Sequence, residues 1–461
     1  MQNYSRAIGK SGRFALERRS KASLPTAVTC AEALPASPLN PPEITRLKTL
    51  PALLVLVAVL FNAGLAVVNG HVADLSANAV IAAELLIVVA AYATILCNFR
   101  PEMLPWTLMM GVAIVFALIR AVVVGHFDPK FLRDVLLIPT FVMLGMTTSW
   151  PRLTWPLALL HAIVVGGVLF EAFFPQVYSN LFEVRAYYIA TRSFDDSAFW
   201  NSSSDLFVSA TRPDERFFSF IDLHRVSSIF LEPVSLGNYV VIITAFLCAN
   251  YRHLSTSLCT FFALGNLVAL IGCDGRLATV ASVLIALVTL VAPRFPRGAA
   301  VLYLPTGLIG AYILSSITKA DPEQDNFLGR VALCIDLLTR YDVQEWLGVS
   351  SVYLFRAADS GIAYMIATQS FIVLLLFWFV LVGGANERRP EQVKFLHAVC
   401  LYVVLTMIVS YSLFSIKTAV LVWVLFGALQ VTPMGSTSVR EAQYRCSRSG
   451  NSWRLGTQQR R

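Results

Sequence analysis

Apolar blocks of about twenty residues recur along the whole chain, at 49–69, 77–97, 104–124, 131–148, 154–173, 234–250, 255–273, 277–293, 299–316, 361–383, 394–413 and 416–432. A helix rises about 1.5 Å per residue, so a block of that length crosses a hydrocarbon core of roughly 30 Å. A surface helix of a soluble protein would instead carry a narrow apolar stripe. Composition agrees: 56% of residues are hydrophobic, 14% are charged and mean hydropathy is +0.66. Soluble domains carry charge on roughly a quarter of their residues. The expected fold is therefore an all-α polytopic membrane protein of about 12 transmembrane helices.

The net charge of +8 gathers in the tails rather than in a folded basic module, so it excludes a nucleic-acid partner. Arg6, Lys10, Arg13, Arg18, Arg19 and Lys21 precede the first block, and Arg440, Arg445, Arg448, Arg454, Arg460 and Arg461 follow the last. Residues 1–47 hold a run of prolines and no apolar core, so they read as a disordered cytoplasmic tail rather than a cleaved signal peptide. Residues 433–461 read as a basic cytoplasmic tail, leaving 48–432 as the transmembrane domain. Positive residues set its orientation. With the N-terminus inside, the inner loops hold Arg100, Arg152, Arg252, Arg294, Arg297, Arg388, Arg389 and Lys394. The short outer segments, the two long connections aside, hold only Lys130, Arg133, Arg276 and Lys417. That asymmetry returns the C-terminus to the cytoplasm and requires an even number of crossings.

Two connections stand out by length, 174–233 and 317–360, and both fall on the outer face. Long connections in a compact protein are functional or disordered. These carry Phe174, Tyr187, Tyr188, Trp200, Phe217, Phe218, Trp346 and Tyr353, and disordered segments are poor in aromatics. The eight cysteines are scattered with no metal-ligand spacing, and only Cys273 and Cys334 are placed to pair outside. No P-loop, GxSxG or HExxH stands in a supporting context. The acidic pair Asp195-Asp196 and the acidic run Asp321, Glu323, Asp325 read as solvated, so neither cofactor nor metal is expected.

The chemistry-bearing residues sit where the two loops meet the membrane. The first loop ends in His224-Arg225-Val226-Ser227-Ser228-Ile229-Phe230-Leu231-Glu232-Pro233, with Gly237-Asn238 just beyond. Charges at a membrane rim are costly unless paired or used. Arg225 and Glu232 are thus either a salt bridge ordering the loop or an anion-binding fork beside a carboxylate that takes a proton. A guanidinium binds phosphate through planar, bidentate, charge-assisted bonds. Arg276 follows the tight turn Cys273-Asp274-Gly275, where snorkelling to lipid phosphate is the alternative use. The second loop carries Gly329-Arg330, Leu347-Gly348 and Arg356, then Asp359-Ser360 opening the next block. Asp359 is either a helix cap or a second candidate base.

An arginine followed by Phe230-x-Glu232-Pro233 and Gly237-Asn238, an outward arginine after a short turn, and a second loop with Gly-Arg, Leu-Gly and a polar pair together resemble the Wzy-type polysaccharide polymerase and O-antigen ligase superfamily. The resemblance covers about 180–385 and is closest to exopolysaccharide polymerases. It implies a GT-C-like, metal-independent glycosyltransferase that joins undecaprenyl-diphosphate-linked oligosaccharide units, working beside a chain-length regulator and a flippase. Carried onto this chain, Arg225 and Arg276 hold the diphosphate, with Arg330 and Arg356 as further candidates. Arg276 also stabilises the leaving group, and Glu232 or Asp359 serves as base. Ligases of the superfamily commonly have histidine where Asp359 falls, so this chain departs from the ligase pattern there. The alternatives are a ligase passing a finished glycan to an acceptor, or a twelve-helix transporter or flippase. A transporter places its charges at the bilayer midplane, and here Glu84 is the clearest such charge.

Overall fold

A computed structural model describes residues 49–192, 205–210, 216–218, 223–324 and 326–431; both tails, Asp195-Asp196, Trp200 and Asp325 lie outside the described residues. Among the described residues the secondary structure is helical throughout, with no strand. The long helices are α1 (Leu50–His71), α2 (Ala77–Cys97), α3 (Leu104–Val124), α4 (Pro129–Met146) and α5 (Trp150–Phe173). The first long connection contributes the short helices α6 (Pro175–Phe182) and α7 (Val184–Arg192). There follow α8 (Pro233–Asn250), α9 (Thr256–Cys273), α10 (Arg276–Val291) and α11 (Tyr303–Thr318). The second connection folds into α12 (Phe327–Arg340), α13 (Val343–Trp346) and α14 (Leu354–Ala357). The chain ends in α15 (Gly361–Thr368), α16 (Phe371–Gly383), α17 (Pro390–Val409) and α18 (Ile416–Gln430).

Nine of the described helices are long and apolar enough to cross a membrane, and α15 with α16 make a tenth if that bent pair is counted as one span. This is an all-helical, multi-pass membrane protein. Three expected spans depart from the simple pattern, each for a physical reason. The block at 361–383 breaks at Gln369-Ser370 and turns by 119°. The break is held from α3, where buried Arg120 donates to the carbonyls of Gly348 (2.7 Å), Ser350 (2.8 Å) and Ala367 (3.0 Å). An arginine inside an apolar helix is tolerable when it serves orphaned carbonyls of this kind. The fourth block is α4, whose first turns carry Lys130, Arg133 and Asp134. The last is α18, at 15 residues only about 22 Å long.

α4 and α18 pack on each other more extensively than any other helix pair, and every residue of α18 is buried. Helices enclosed by protein need neither full length nor a charge-free sequence. The contact depends on two glycines: a Cβ on Gly427 would sit 2.0 Å from the Val142 carbonyl oxygen, and one on Gly145 2.2 Å from that of Val424. Small residues are what allow helix backbones this close in a bilayer. Gly427→Val is therefore expected to push the pair apart, costing at least ~1–3 kcal/mol by overpacking. Melting in detergent checks this, with Gly310→Ala as the neutral control because a Cβ there meets nothing within 4 Å. An unchanged midpoint for Gly427→Val contradicts the account.

Cys273 and Cys334, the two cysteines placed so that they could pair outside, are both buried free thiols, Cys273 at the end of α9 and Cys334 inside α12.

Candidate functional site

The end of the bundle that carries both long connections is organised by charged residues on the helices beneath it. Glu171, at the end of α5, is fully buried; its Oε2 accepts the backbone N–H groups of Ser227 (2.8 Å) and Ser228 (2.6 Å). Its Oε1 lies 3.1 Å from His224 Nε2. Ser228 sits at φ 52° and Leu231 at φ 61°, so the segment turns sharply here. Gly167 makes room, since a Cβ there would lie 2.4 Å from Ser228 Oγ. Tyr178 donates to the Ser228 carbonyl at 2.6 Å. Asp274, buried at φ 51°, does the same for the chain upstream: it accepts from Phe217 N (3.0 Å) and Phe218 N (2.9 Å) and lies 3.7 Å from Arg216 Nε.

This scaffold fixes Arg225, whose guanidinium donates to the Cys273 and Ser209 carbonyls, each at 3.3 Å. Arg276 begins α10 directly after the Asp274-Gly275 turn, so its side chain and the helix N-terminus share one electrostatic sign. Arg330 stands one turn into α12, which Asn326 caps by accepting from Gly329 N at 2.8 Å. It donates to the Val409 carbonyl at 3.3 Å and lies 4.0 Å from Asp359 Oδ1.

Arg225, Arg276 and Arg330 line a single cavity of about 210 Å³. Part of its wall is apolar, with Val234, Val241, Ala278 and Ala281; Asn238 and Tyr402, joined by a 3.0 Å hydrogen bond, add polar groups. Three guanidinium-bearing residues from three separate segments, beside apolar lining residues, give the cavity the chemistry to take an anionic group with an apolar attachment. No protein-family model, curated protein or solved structure matches this chain. The argument for function therefore rests on the site itself.

The remaining sequence candidates fall elsewhere. Arg356 pairs with Glu323 and is absent from the cavity lining. Asp359 is 58% exposed beside Arg330 and, like Arg356, is absent from the cavity lining. Glu232 stands behind the cavity in a buried cluster: Lys417 at 2.7 Å, Tyr188 Oη donating at 2.7 Å and Ser235 Oγ donating at 2.9 Å. Burial pushes the Glu232 carboxyl up, but Lys417 and then Arg192 more than offset that and hold it at about 2. Lys417 also donates to the Phe230 carbonyl at 3.3 Å, tying the turn to α18.

Sequence reasoning passed over Glu171 and Lys417 as site residues and quoted Asp274 only as part of a turn. Their signal was present: Glu171 and Lys417 are lone charges inside apolar blocks, where an ionisable residue has a partner or a job.

Proposed function

We propose that this protein polymerises lipid-diphosphate-linked oligosaccharide units, as a metal-independent glycosyltransferase at the outer face of a bacterial inner membrane. The chain then crosses twelve times, counting α4, the α15–α16 pair and α18, with both termini cytoplasmic and a GT-C-like arrangement. The observation that carries the reading is the convergence of Arg225, Arg276 and Arg330 on one cavity with an apolar wall. The growing chain, linked through its anomeric carbon to undecaprenyl diphosphate, is the donor. A sugar hydroxyl of a second lipid-linked unit attacks that carbon from the opposite side. The new C–O bond forms as the bond to the diphosphate breaks, and the electron pair leaves on the diphosphate oxygen. Fixed guanidinium groups in a water-poor cavity stabilise that developing charge without reorganising.

Asp359 takes the proton of the attacking hydroxyl. It is exposed beside Arg330, a residue that lines the cavity, whereas both Glu232 oxygens are engaged by Lys417, Tyr188 and Ser235. Glu232 is thus a positioning residue that holds the segment bearing Arg225. Removal of a general base costs about 10²–10⁴-fold in rate. Asp359→Asn is accordingly expected to lose polymer formation by that factor while binding the lipid-linked donor as well as the parent protein does. Wild-type turnover by Asp359→Asn, measured on purified protein with lipid-linked units, eliminates Asp359 as the base. A ligase would also release lipid diphosphate but make no ladder of joined units. A transporter would leave lipid-linked units on the inner leaflet when the gene is deleted.

A further inference from the structure

The second connection carries apolar side chains that the described residues leave uncovered. Val343 is 71% exposed, Leu347 43%, Val352 75% and Phe355 95%. Single apolar residues are ordinary on any surface, but a group of them in one short stretch marks contact with protein or lipid. The stretch 343–355 holds one charged residue, Glu345. That side chain is buried, its carboxylate accepting from Asp342 N in the capping box of α13. Other charges stand only outside the stretch, at Arg340 and Asp342 before it and Arg356 after it. What the stretch shows to its surroundings is therefore uncharged.

Arg120 sets the height of this stretch. It stands four residues before the end of α3 at Val124, within a helix long and apolar enough to cross a membrane. At the helical rise per residue that is about 6 Å below the end of the helix. Its Nη1 donates to the carbonyls of Gly348 (2.7 Å) and Ser350 (2.8 Å), so the backbone between Leu347 and Val352 lies level with the last turn of a span. Two further contacts hold it there. A Cβ on Gly348 would sit 2.5 Å from the Gln369 carbonyl oxygen, so the chain is pressed against the break between α15 and α16. The Trp346 ring meets that of Phe371, the first residue of α16, edge-on at 5.2 Å. Exposed apolar side chains continue on both neighbours, Val122 and Val123 at the end of α3 and Phe371 and Ile372 at the start of α16. Trp346 and Tyr353 are of the two residue types that concentrate where a bilayer meets water.

We propose that the stretch 343–355 is seated in the outer leaflet, with Val343, Leu347, Val352 and Phe355 against phospholipid acyl chains near the headgroup boundary. The partner is the acyl region rather than a charged headgroup, because the stretch offers no basic side chain and its single carboxylate is buried. Its surface is continuous with the lipid-facing ends of α3 and α16, so the same solvent covers all three. Apolar side chains at such a boundary gain by leaving water for the acyl region. The seat does not depend on the polymerase reading. It does bear on it: α14 leads directly into Asp359, so the bilayer itself would help to set the height of the candidate base.

Photo-crosslinking of the full chain in phosphatidylcholine nanodiscs tests this, with p-benzoylphenylalanine in place of Val343, Val352 or Phe355. All three side chains are exposed, so the replacements disturb no packing, and melting equal to wild type checks that. Irradiation should add the mass of one phospholipid at each position, with a yield like that from the same group in place of Val122, exposed on α3. The group in place of Thr339, exposed on α12 beside Arg340, should give no lipid adduct. Replacing phosphatidylcholine by phosphatidylglycerol, or raising the salt, should leave the yields unchanged. Absence of lipid adducts at all three positions, with Val122 labelled, would overturn the inference. Adducts joining two copies of the chain would also overturn it, by making the stretch an interface between protomers. So would adducts formed only with phosphatidylglycerol, which would mark headgroup binding, or equal labelling from Thr339, which would show that the contact is not confined to this stretch.

Discussion

Arg276→Ala is expected to lower polymer formation by about 10²–10³-fold, the loss typical of removing one preorganised donor to a developing anion. Arg276 opens α10 and lines the cavity with Arg225 and Arg330, so its charge adds to that of the helix N-terminus. Arg276→Lys should recover only part of the rate, because an ammonium keeps the charge but not the planar fork. Arg225→Ala should lose a similar factor, and the two losses should not add, since both donors serve one leaving group. Neither substitution should unfold the bundle, because Arg276 stands outside the tightly packed centre formed by α4 and α18. The check is a gel ladder from purified variants whose melting matches wild type. Normal ladders from folded Arg276→Ala protein would contradict this role.

The second large effect concerns stability. Lys417 is 2% exposed, sits 2.7 Å from Glu232, and ties the Phe230 carbonyl to α18. Lys417→Met strands a buried carboxylate, at a cost of about 3–5 kcal/mol. Adding Glu232→Gln should restore most of the loss, since a neutral pair of similar shape is often no less stable than the ion pair it replaces. The acid dependence has a definite sign. Glu232 has a folded value near 2 against an ordinary 4.5, so its contribution is present above about 4.5 and is lost as pH falls through about 2. Thermal melting of the single and double variants decides the matter. If Lys417→Met melts like wild type, the ion pair does not hold the turn. Activity adds a second readout, because the turn between Arg225 and Glu232 is the segment that Lys417 anchors.

How much of this was legible beforehand follows from which forces leave a local mark. Crossing lipid demands long apolar runs, so α1, α2, α3, α5 and α8 to α11 stand near the ranges read from hydropathy. Enclosure by other helices leaves no such mark. α18, fully buried, could therefore be short, and α4 could carry the buried Asp134, which Lys130 and Arg133 neutralise from its more exposed first turns. The break at Gln369-Ser370 depends on Arg120, more than two hundred residues away in sequence, and no local pattern announces such a partner. The arginines were recognisable as residue types that bind phosphate, and three of the four do line one cavity. Arg356 was not separable from them in sequence, because its difference lies in a neighbour, Glu323, that the chain brings up from the start of the same loop. Glu232 and Asp359 looked equivalent as carboxylates opening helices. Only packing distinguishes them: one is engaged by Lys417, Tyr188 and Ser235, and the other is exposed beside Arg330.

The central claim is that the cavity at the loop end of the bundle holds a lipid diphosphate. A cryo-EM structure of the full chain in a lipid nanodisc with undecaprenyl diphosphate tests it most directly. The account predicts diphosphate density within hydrogen-bond reach of Arg225, Arg276 and Arg330, with the first isoprene units against Val234, Val241 and Ala281. Density for the headgroup near the middle of the bundle, with this cavity unfilled, would contradict it and would favour passage through the membrane over chemistry at its surface.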